Sequence, residues 1–75
     1  MKLSEGKISR DYRVCDILLD LNIKRRLEML GMTHNTIIRV MNKKRSGPMI
    51  IKIRGTRFAL GKGFCDGIFV EETNE

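Results

Sequence analysis

The chain has 75 residues, of which 41% are hydrophobic and 32% are charged, and its formal net charge is +6 at pH 7. This balance predicts one small globular domain and excludes a disordered chain, although a domain of this size buries only about 60% of its unfolded surface. The positive charge suits an anionic partner such as a nucleic acid, a lipid surface or an acidic protein, but it does not choose among them.

The sequence predicts a single domain, residues 1–75, that is kept in the cytoplasm. No apolar run approaches the roughly 18 residues that a membrane span needs, and the first ten residues lack the apolar stretch of a secretory signal. Cys15 and Cys65 are far apart and lack the close pairing of zinc or dithiol motifs. We therefore expect two reduced thiols in or near the core, rather than a disulfide or a metal pair.

The first regular elements are a strand and a short helix. Apolar residues at positions 12, 14 and 17 predict a strand that ends in an irregular bend near Asp16. Asp20 or Asn22 can cap a helix that follows, because either side chain can accept a hydrogen bond from a free amide of its first turn. Gly31 is a natural end for this helix, since glycine adopts positive φ without strain.

The helix is expected to bury one face and to expose the other. Residues 23, 27 and 30 share the apolar face, so Arg25, Glu28 and Met29 should face outward. Arg25 and Arg26 would then lie near the start of the helix, where the macrodipole disfavours cations by a few tenths of a kcal/mol. A cation placed against the dipole beside an exposed methionine is a pattern that functional surfaces favour, and an ordinary solvated face is the alternative.

Two half-buried strands follow, at residues 36–41 and 49–54, because apolar and polar residues alternate there. The polar connection NKKRSGP, residues 42–48, contains Gly47 and Pro48 and is expected to be a solvated hairpin loop. In the second of these strands Lys52 and Arg54 should lie on the exposed face.

The next hairpin is predicted to be tight. Gly55 and Thr56 would form a two-residue loop of type II′, with Arg54 and Arg57 directly paired on either side. The alternation resumes at once, so a fourth strand is expected through residue 60.

The end of the chain is predicted to form a turn that begins with glycines, followed by one more strand. Gly61 and Gly63 stop the fourth strand, and residues 64–67 are expected to form a turn or a single helical turn. A short strand at 68–70 and an acidic tail at 71–75 complete the chain.

These elements predict an all-β fold: a small β-barrel of about five short antiparallel strands with one short inserted α-helix that covers an open side. A sheet this small cannot bury both faces, so curling around a single core is the economical arrangement. The predicted core consists of Val14, Ile17, Leu27, Leu30, Ile38, Val40, Ile51, Ile53, Phe58, Leu60, Ile68 and Val70.

No constellation of residues predicts catalysis, a cofactor or a metal site. His34 lacks an identifiable acid partner, and Gly61 to Gly63 do not precede a convincing helix, so a phosphate-binding loop is not indicated. Nucleic-acid binding is also not favoured, because a surface that stacks bases needs exposed aromatic residues and only Tyr12 and Phe64 are available for it.

The order of the motifs resembles the ferrous iron transport protein A (FeoA) family. The resemblance is carried by YRV at 12–14, RRLEMLGM at 25–32, GPMIIKIRG at 47–55 and RFAL at 57–60, and it covers roughly residues 12–70. The segment before Tyr12 departs from the family because it lacks the usual leucine-rich lead-in, and residues 61–67 replace a charged helical turn.

The resemblance implies an SH3-like barrel that acts in the bacterial cytoplasm as an accessory or regulatory protein, not as an enzyme. The implied partner is the FeoB-type membrane iron permease, through its cytoplasmic GTP-binding domain or membrane-proximal part, with recruitment to the inner face of the membrane. A basic barrel that binds nucleic acid and a sensing barrel of the iron-dependent repressor type are the alternatives. The sequence does not fix the oligomeric state.

The predicted partner-binding residues lie on the helix and just beyond it, and three glycines are assigned to structural turns. The partner-binding candidates are Lys24, Arg25, Glu28, Met29 and Met32, and the turn glycines are Gly31, Gly47 and Gly55.

Overall fold

Five strands and two helices follow one another in a computed structural model that describes residues 1–73. The elements in chain order are a 3-10 turn (Leu3–Glu5), β1 (Asp11–Ile17), α1 (Leu21–Met29), β2 (Ile37–Lys43), β3 (Met49–Ile53), β4 (Thr56–Leu60), α2 (Lys62–Cys65) and β5 (Ile68–Glu72). Within the described residues, no helix combines the length and apolar character needed to cross a membrane.

The strands form one sheet in the order β4-β3-β2-β1-β5, and every neighbouring pair is antiparallel. This confirms the predicted fold class of five antiparallel strands with a short helix. In residues 1–73, β4 and β5 are the two edge strands, so the SH3-like barrel is open between them.

Two strand pairs, β1 with β5 and β2 with β3, each contain a shift in register. The pairing of β1 with β5 shifts between Val14 and Asp16, which confirms the bend predicted near Asp16. The pairing of β2 with β3 shifts between Val40 and Asn42 and then continues to Lys43. An extra residue of this kind bends a strand without ending its pairing. The predicted strand end at residue 41 was therefore too early.

The tight hairpin between β3 and β4 has a different turn from the predicted one. Arg54 and Gly55 occupy its two central positions, with φ of 50° and 84°, and Ile53 pairs with Thr56. Positive φ at both positions defines type I′, not type II′. The type I′ turn matches the right-handed twist of the flanking strands and needs no pairing of Arg54 with Arg57. The observed register of β3 against β4 differs from the predicted one by two positions in total. The same residues of both strands therefore still face inward.

The core joins the inner sides of the five strands to α1 and to the N-terminal turn. Two of the twelve predicted core residues are placed differently: Leu30 is 42% exposed, and Phe58 is only half-buried against the core. The buried residues that were not predicted are Leu3, Tyr12, Met32 and Met49. Cys65 is also buried, which agrees with the expectation of a thiol in or near the core.

The first residues of the chain belong to the barrel, although their sequence gave little sign of it. The amide of Val70 donates to the Met1 carbonyl at 2.8 Å, and Lys2 forms an isolated bridge with Phe69. Leu3 is fully buried as a result. This segment therefore covers the outer edge of β5 and supplies a core side chain before Tyr12.

The acidic tail predicted at 71–75 begins inside a strand. Glu71 pairs with Arg13 at 2.9 Å and Glu72 pairs with Arg10 at 2.8 Å, so β5 extends past the predicted end at residue 70. Exposed pairs of this kind contribute about 0–1 kcal/mol each. Positions 74 and 75 lie outside the described residues.

Candidate partner-binding site

Helix α1 begins two residues earlier than its apolar spacing suggests. The Asp20 side chain accepts a hydrogen bond from the Asn22 amide at 3.0 Å, which confirms Asp20 as the N-cap. Leu21 is thus the first helical residue, Arg25 lies at mid-helix, and Arg26 belongs to the last turn. The macrodipole does not oppose cations there. The predicted conflict between the arginines and the helix dipole was therefore wrong.

The C-terminal end of α1 explains the position of Met32. Gly31 has φ of 103°, its amide donates to the Glu28 carbonyl at 3.0 Å, and the Met32 amide donates to the Leu27 carbonyl at 2.9 Å. This pair of bonds is the Schellman motif, in which the residue after the glycine packs back on the apolar side of the helix. Met32 has no exposed surface. Its assignment to the partner-binding surface was therefore wrong.

The other four partner-binding candidates lie together on α1. Arg25, Glu28 and Met29 are exposed and Lys24 is half-exposed, and Met29 is 87% exposed. Leu21 shares their side of the helix and is 57% exposed. These five residues, Leu21, Lys24, Arg25, Glu28 and Met29, are here called the α1 outer face. It combines two apolar side chains with two cations and one carboxylate.

Two exposed leucines belong to this region and were missed by the sequence analysis. Leu18, in the link from β1, is 64% exposed, and Leu21 is the first residue of α1. The one sequence pattern that could have identified these leucines as exposed is that they fall outside the helical spacing of the apolar residues Ile23 and Leu27. Exposed apolar side chains that gather around one element are typical of an interaction surface, whereas single ones need no explanation.

A groove of about 240 Å³ separates α1 from the end of β1 and is lined by both polar and apolar side chains. Cys15, Asp16, Lys24, Glu28 and His34 all contribute to it. The fold thus brings Cys15 and His34, which are 19 positions apart in the sequence, to one groove. Across residues 1–73, no three His, Cys, Asp or Glu side chains are grouped so that they could hold a metal ion.

The second cysteine is remote from this groove. Cys65 is fully buried in α2, and its thiol donates to the Leu60 carbonyl at 3.8 Å. Burial, with a smaller contribution from the charge of Asp66, raises the pKa of the Cys65 thiol to about 11. A thiol of this kind is protonated and unreactive at neutral pH.

The three turn glycines differ in what their positions require. Gly31 and Gly55 both have positive φ, which other residues adopt only with strain. Gly47 lies in the loop between β2 and β3, and its amide donates to the Lys44 carbonyl at 3.4 Å.

The aromatic residues of the described chain offer little for base stacking. Tyr12 is 1% exposed, and its hydroxyl accepts a hydrogen bond from the Lys7 amide at 2.7 Å, so it is not a surface residue. Phe64 is 41% exposed and lines a pocket whose other side chains are Leu19, Asp20 and Ile23, none of them a cation. One of the two aromatic residues proposed for stacking is therefore excluded.

Comparison with known families and structures identifies clear relatives. The model of the FeoA domain matches residues 1–72, a longer stretch than the resemblance at 12–70. The crystal structure of an iron uptake regulatory protein, FeoA, is 33% identical, covers 97% of both chains and has a TM-score of 0.89. The solution structure of FeoA from Chlorobium tepidum is 26% identical, with 96% of this chain and 70% of that chain covered and a TM-score of 0.89.

A regulator of a different kind shares the fold alone. A manganese-dependent transcriptional repressor has a TM-score of 0.87 at 19% identity, and the match covers 97% of this chain but 41% of the repressor. No curated protein sequence matches the chain.

Proposed function

Because the chain belongs to the FeoA family, and thereby has a role in ferrous iron transport, we propose that it is an accessory protein that binds a FeoB-type iron permease. The contact is made by the α1 outer face with the cytoplasmic part of the permease. The role is regulatory rather than catalytic, and it is exercised in the cytoplasm, at the inner face of the membrane.

The observation that carries this proposal is the exposure of Met29. A side chain that is 87% exposed contributes almost nothing to the core, while Leu27 on the opposite side of the same helix is 4% exposed. Methionine is flexible and polarisable, so it adapts to an apolar pocket on a partner. Leu21, which is 57% exposed, extends the apolar contact at the other end of the helix.

The charge of the α1 outer face indicates which kind of partner surface it attracts. Helix α1 carries three cations, Lys24, Arg25 and Arg26, but only one carboxylate, that of Glu28. An acidic patch on the partner would therefore be attracted at long range and would fix the orientation of the apolar contact. The expected interface has apolar anchors at its centre and charges at its rim.

The test is binding of the purified chain to the purified cytoplasmic part of the FeoB-type permease from the same genome, measured by calorimetry. Arg25→Glu together with Met29→Asp reverses the charge and removes the apolar anchor. We expect the dissociation constant to rise at least tenfold, which corresponds to about 1.4 kcal/mol.

A matched control makes the same changes elsewhere. Arg45→Glu together with Ile8→Asp alters an exposed cation and an apolar residue that is 48% exposed, both distant in sequence from α1. This control should bind like the wild type. Equal binding by all three proteins would remove the α1 outer face from the proposal.

Two alternatives predict different measurements. The affinity for a nucleic-acid partner would fall steeply as salt is raised, because binding releases the counterions of the nucleic acid. The affinity that comes from the apolar contact through Met29 should persist. The repressor likeness is limited to the fold, and a sensing barrel of that type would show binding that depends on added metal.

A further inference from the structure

Three cations stand directly opposite one another on the outer face of the sheet. Arg39 of β2 pairs with Lys52 of β3, and Lys52 pairs with Arg57 of β4. All three residues are exposed. Like charges at directly opposed positions destabilise a sheet. We call Arg39, Lys52 and Arg57 the outer cation row.

Charge compensation is present at one end of this row and missing at the other. Asp11 of β1 pairs with Arg39, and its carboxylate accepts hydrogen bonds from Nε at 2.7 Å and from Nη2 at 3.1 Å. This contact lowers the pKa of the Asp11 carboxyl. Within residues 1–73, Lys52 and Arg57 have no ion pair.

The uncompensated end of the row lies on an edge strand. The type I′ turn makes Ile53 and Thr56 a hydrogen-bonded pair, because the amide of the fourth turn residue donates to the carbonyl of the first. Bonded and non-bonded pairs alternate along an antiparallel ladder. The amide and carbonyl groups of Arg57 and Ala59 therefore point away from β3, toward the free edge.

The opposite edge of the sheet, formed by β5, is covered by the first residues of the chain. Met1 and Lys2 lie along β5, where the amino group of Met1 donates to the Val70 carbonyl at 3.0 Å and the amide of Val70 donates back to the Met1 carbonyl at 2.8 Å. The chain thus pairs its own first residues with one edge. In the described residues, no backbone hydrogen bond reaches the outward groups of Arg57 or Ala59.

We propose that the β4 edge binds an extended acidic segment of a partner protein as a sixth strand of the sheet. Main-chain hydrogen bonds to Arg57 and Ala59 hold the segment, and a carboxylate opposite Arg57 completes the charge pattern that Asp11 completes at the other end. This site is separate from the α1 outer face and does not depend on the function proposed for it.

The pleat of the sheet specifies the sequence pattern of the bound segment. Alternate residues of an added strand lie on the same side as Arg57, so these positions take Asp or Glu. The residues between them lie on the side of Phe58, which is half-buried, so these positions take apolar side chains that cover its exposed part. A second copy of this chain would bring its own cation row beside Arg57, so charge disfavours self-pairing.

The test uses an eight-residue peptide in which glutamate and valine alternate, added to ¹⁵N-labelled protein. Spectral shifts should concentrate in β4, and hydrogen exchange of the Arg57 and Ala59 amides should slow when the peptide binds. The same peptide N-methylated on the residues that face β4 should not bind, because it lacks the amides that the added strand donates. Equal binding of the N-methylated peptide would overturn the proposal.

Variants separate the charge contribution from the main-chain contribution. Arg57→Glu should weaken the acidic peptide about tenfold, because a cross-strand attraction becomes a repulsion, and it should bind a lysine and valine peptide instead. Arg45→Glu, in the loop between β2 and β3, makes the same charge change and should leave binding unchanged.

Other outcomes would contradict the proposal. Shifts centred on α1, or equal effects of Arg57→Glu and Arg45→Glu, would show that the peptide responds only to net charge. A single-stranded oligonucleotide of equal charge that binds more tightly than the peptide, and needs Arg57, would assign the surface to nucleic acid. If Arg57→Glu fails to fold, the N-methylated peptide still decides the matter on the unaltered chain.

Discussion

Leu27 and Met32 are joined across the end of α1, where the Met32 amide donates to the Leu27 carbonyl at 2.9 Å and both side chains are buried. Met29 lies between them in the sequence and is 87% exposed. Two methionines three positions apart therefore have opposite roles, one in the core and one on the α1 outer face.

Alanine substitutions should separate these roles. Met32→Ala should lower the free energy of unfolding by about 2–5 kcal/mol, because it leaves a cavity in the core. Met29→Ala should change it by no more than about 0.5 kcal/mol, because the side chain is solvated. Urea unfolding of the two variants checks this difference, and similar losses in both would contradict the described end of α1.

The turn between β3 and β4 offers a stabilising substitution. Arg54 has φ of 50°, a conformation that asparagine adopts more readily than arginine, and Gly55 follows it. Arg54→Asn creates the Asn-Gly pair preferred in type I′ turns and should raise stability by about 0.5–1 kcal/mol. A melting temperature unchanged or lowered by this substitution would argue against the turn.

The neighbouring position should respond in the opposite direction. Gly55 has φ of 84°, and a Cβ added there would meet no atom within 4 Å, so any cost of substitution comes from the backbone rather than from a clash. Gly55→Val should destabilise the domain by about 1–3 kcal/mol, since a β-branched residue is strained at positive φ. Gly61→Val is the control, because its surroundings are equally open and its φ is −62°.

Cys65 should make stability depend on alkaline pH. Its pKa in the folded protein is about 11, against 9.0 for an ordinary thiol, so the unfolded state loses its proton first as pH rises. This contribution to stability is complete below about pH 9 and is lost between about pH 9 and about pH 11. Unfolding midpoints should therefore fall less steeply across this range in Cys65→Ala than in the wild type. Ile68→Val is the control, because it alters a buried side chain that has no titratable group, and it should keep the wild-type slope.

Alternation and turn residues were sufficient to predict five antiparallel strands. Buried and more exposed side chains alternate along most of β2, β3 and β5, and a period of two specifies which face is buried. For this reason Ile51 and Ile53 were assigned correctly even though the turn after them was not. Type I′ and type II′ turns both accept glycine in a two-residue loop, so composition alone did not distinguish them.

The errors at α1 arose because local spacing does not reveal how a helix ends. The apolar stripe begins at Ile23, but the cap bond of Asp20 makes Leu21 the first helical residue. Met32 was assigned to the partner-binding surface just beyond the helix, yet the Schellman bonds return it to the core. Leu30 reads as a core residue at helical spacing, and as the last cap residue it is 42% exposed.

The N-terminal segment could not have been predicted from its own residues. Leu3 is buried because Met1 and Lys2 pair with β5, at the other end of the chain. A partner so distant in sequence leaves no local pattern. The outer cation row could not be predicted for the same reason. The strand register alone places Arg39, Lys52 and Arg57 opposite one another, and local sequence does not reveal that register.

The central claim is that the α1 outer face serves ferrous iron transport, and uptake in living cells tests it most directly. The native gene is deleted and replaced by the wild type, by Arg25→Glu with Met29→Asp, or by Arg45→Glu with Ile8→Asp, and circular dichroism verifies that each purified protein folds. Leu27→Asp serves as the unfolded reference, because it places an unpaired carboxylate in the core. We expect ferrous iron uptake with the Arg25 and Met29 double variant to fall to the level of the deletion strain, while the Arg45 and Ile8 control restores it. Full uptake with a folded Arg25 and Met29 double variant would contradict the claim.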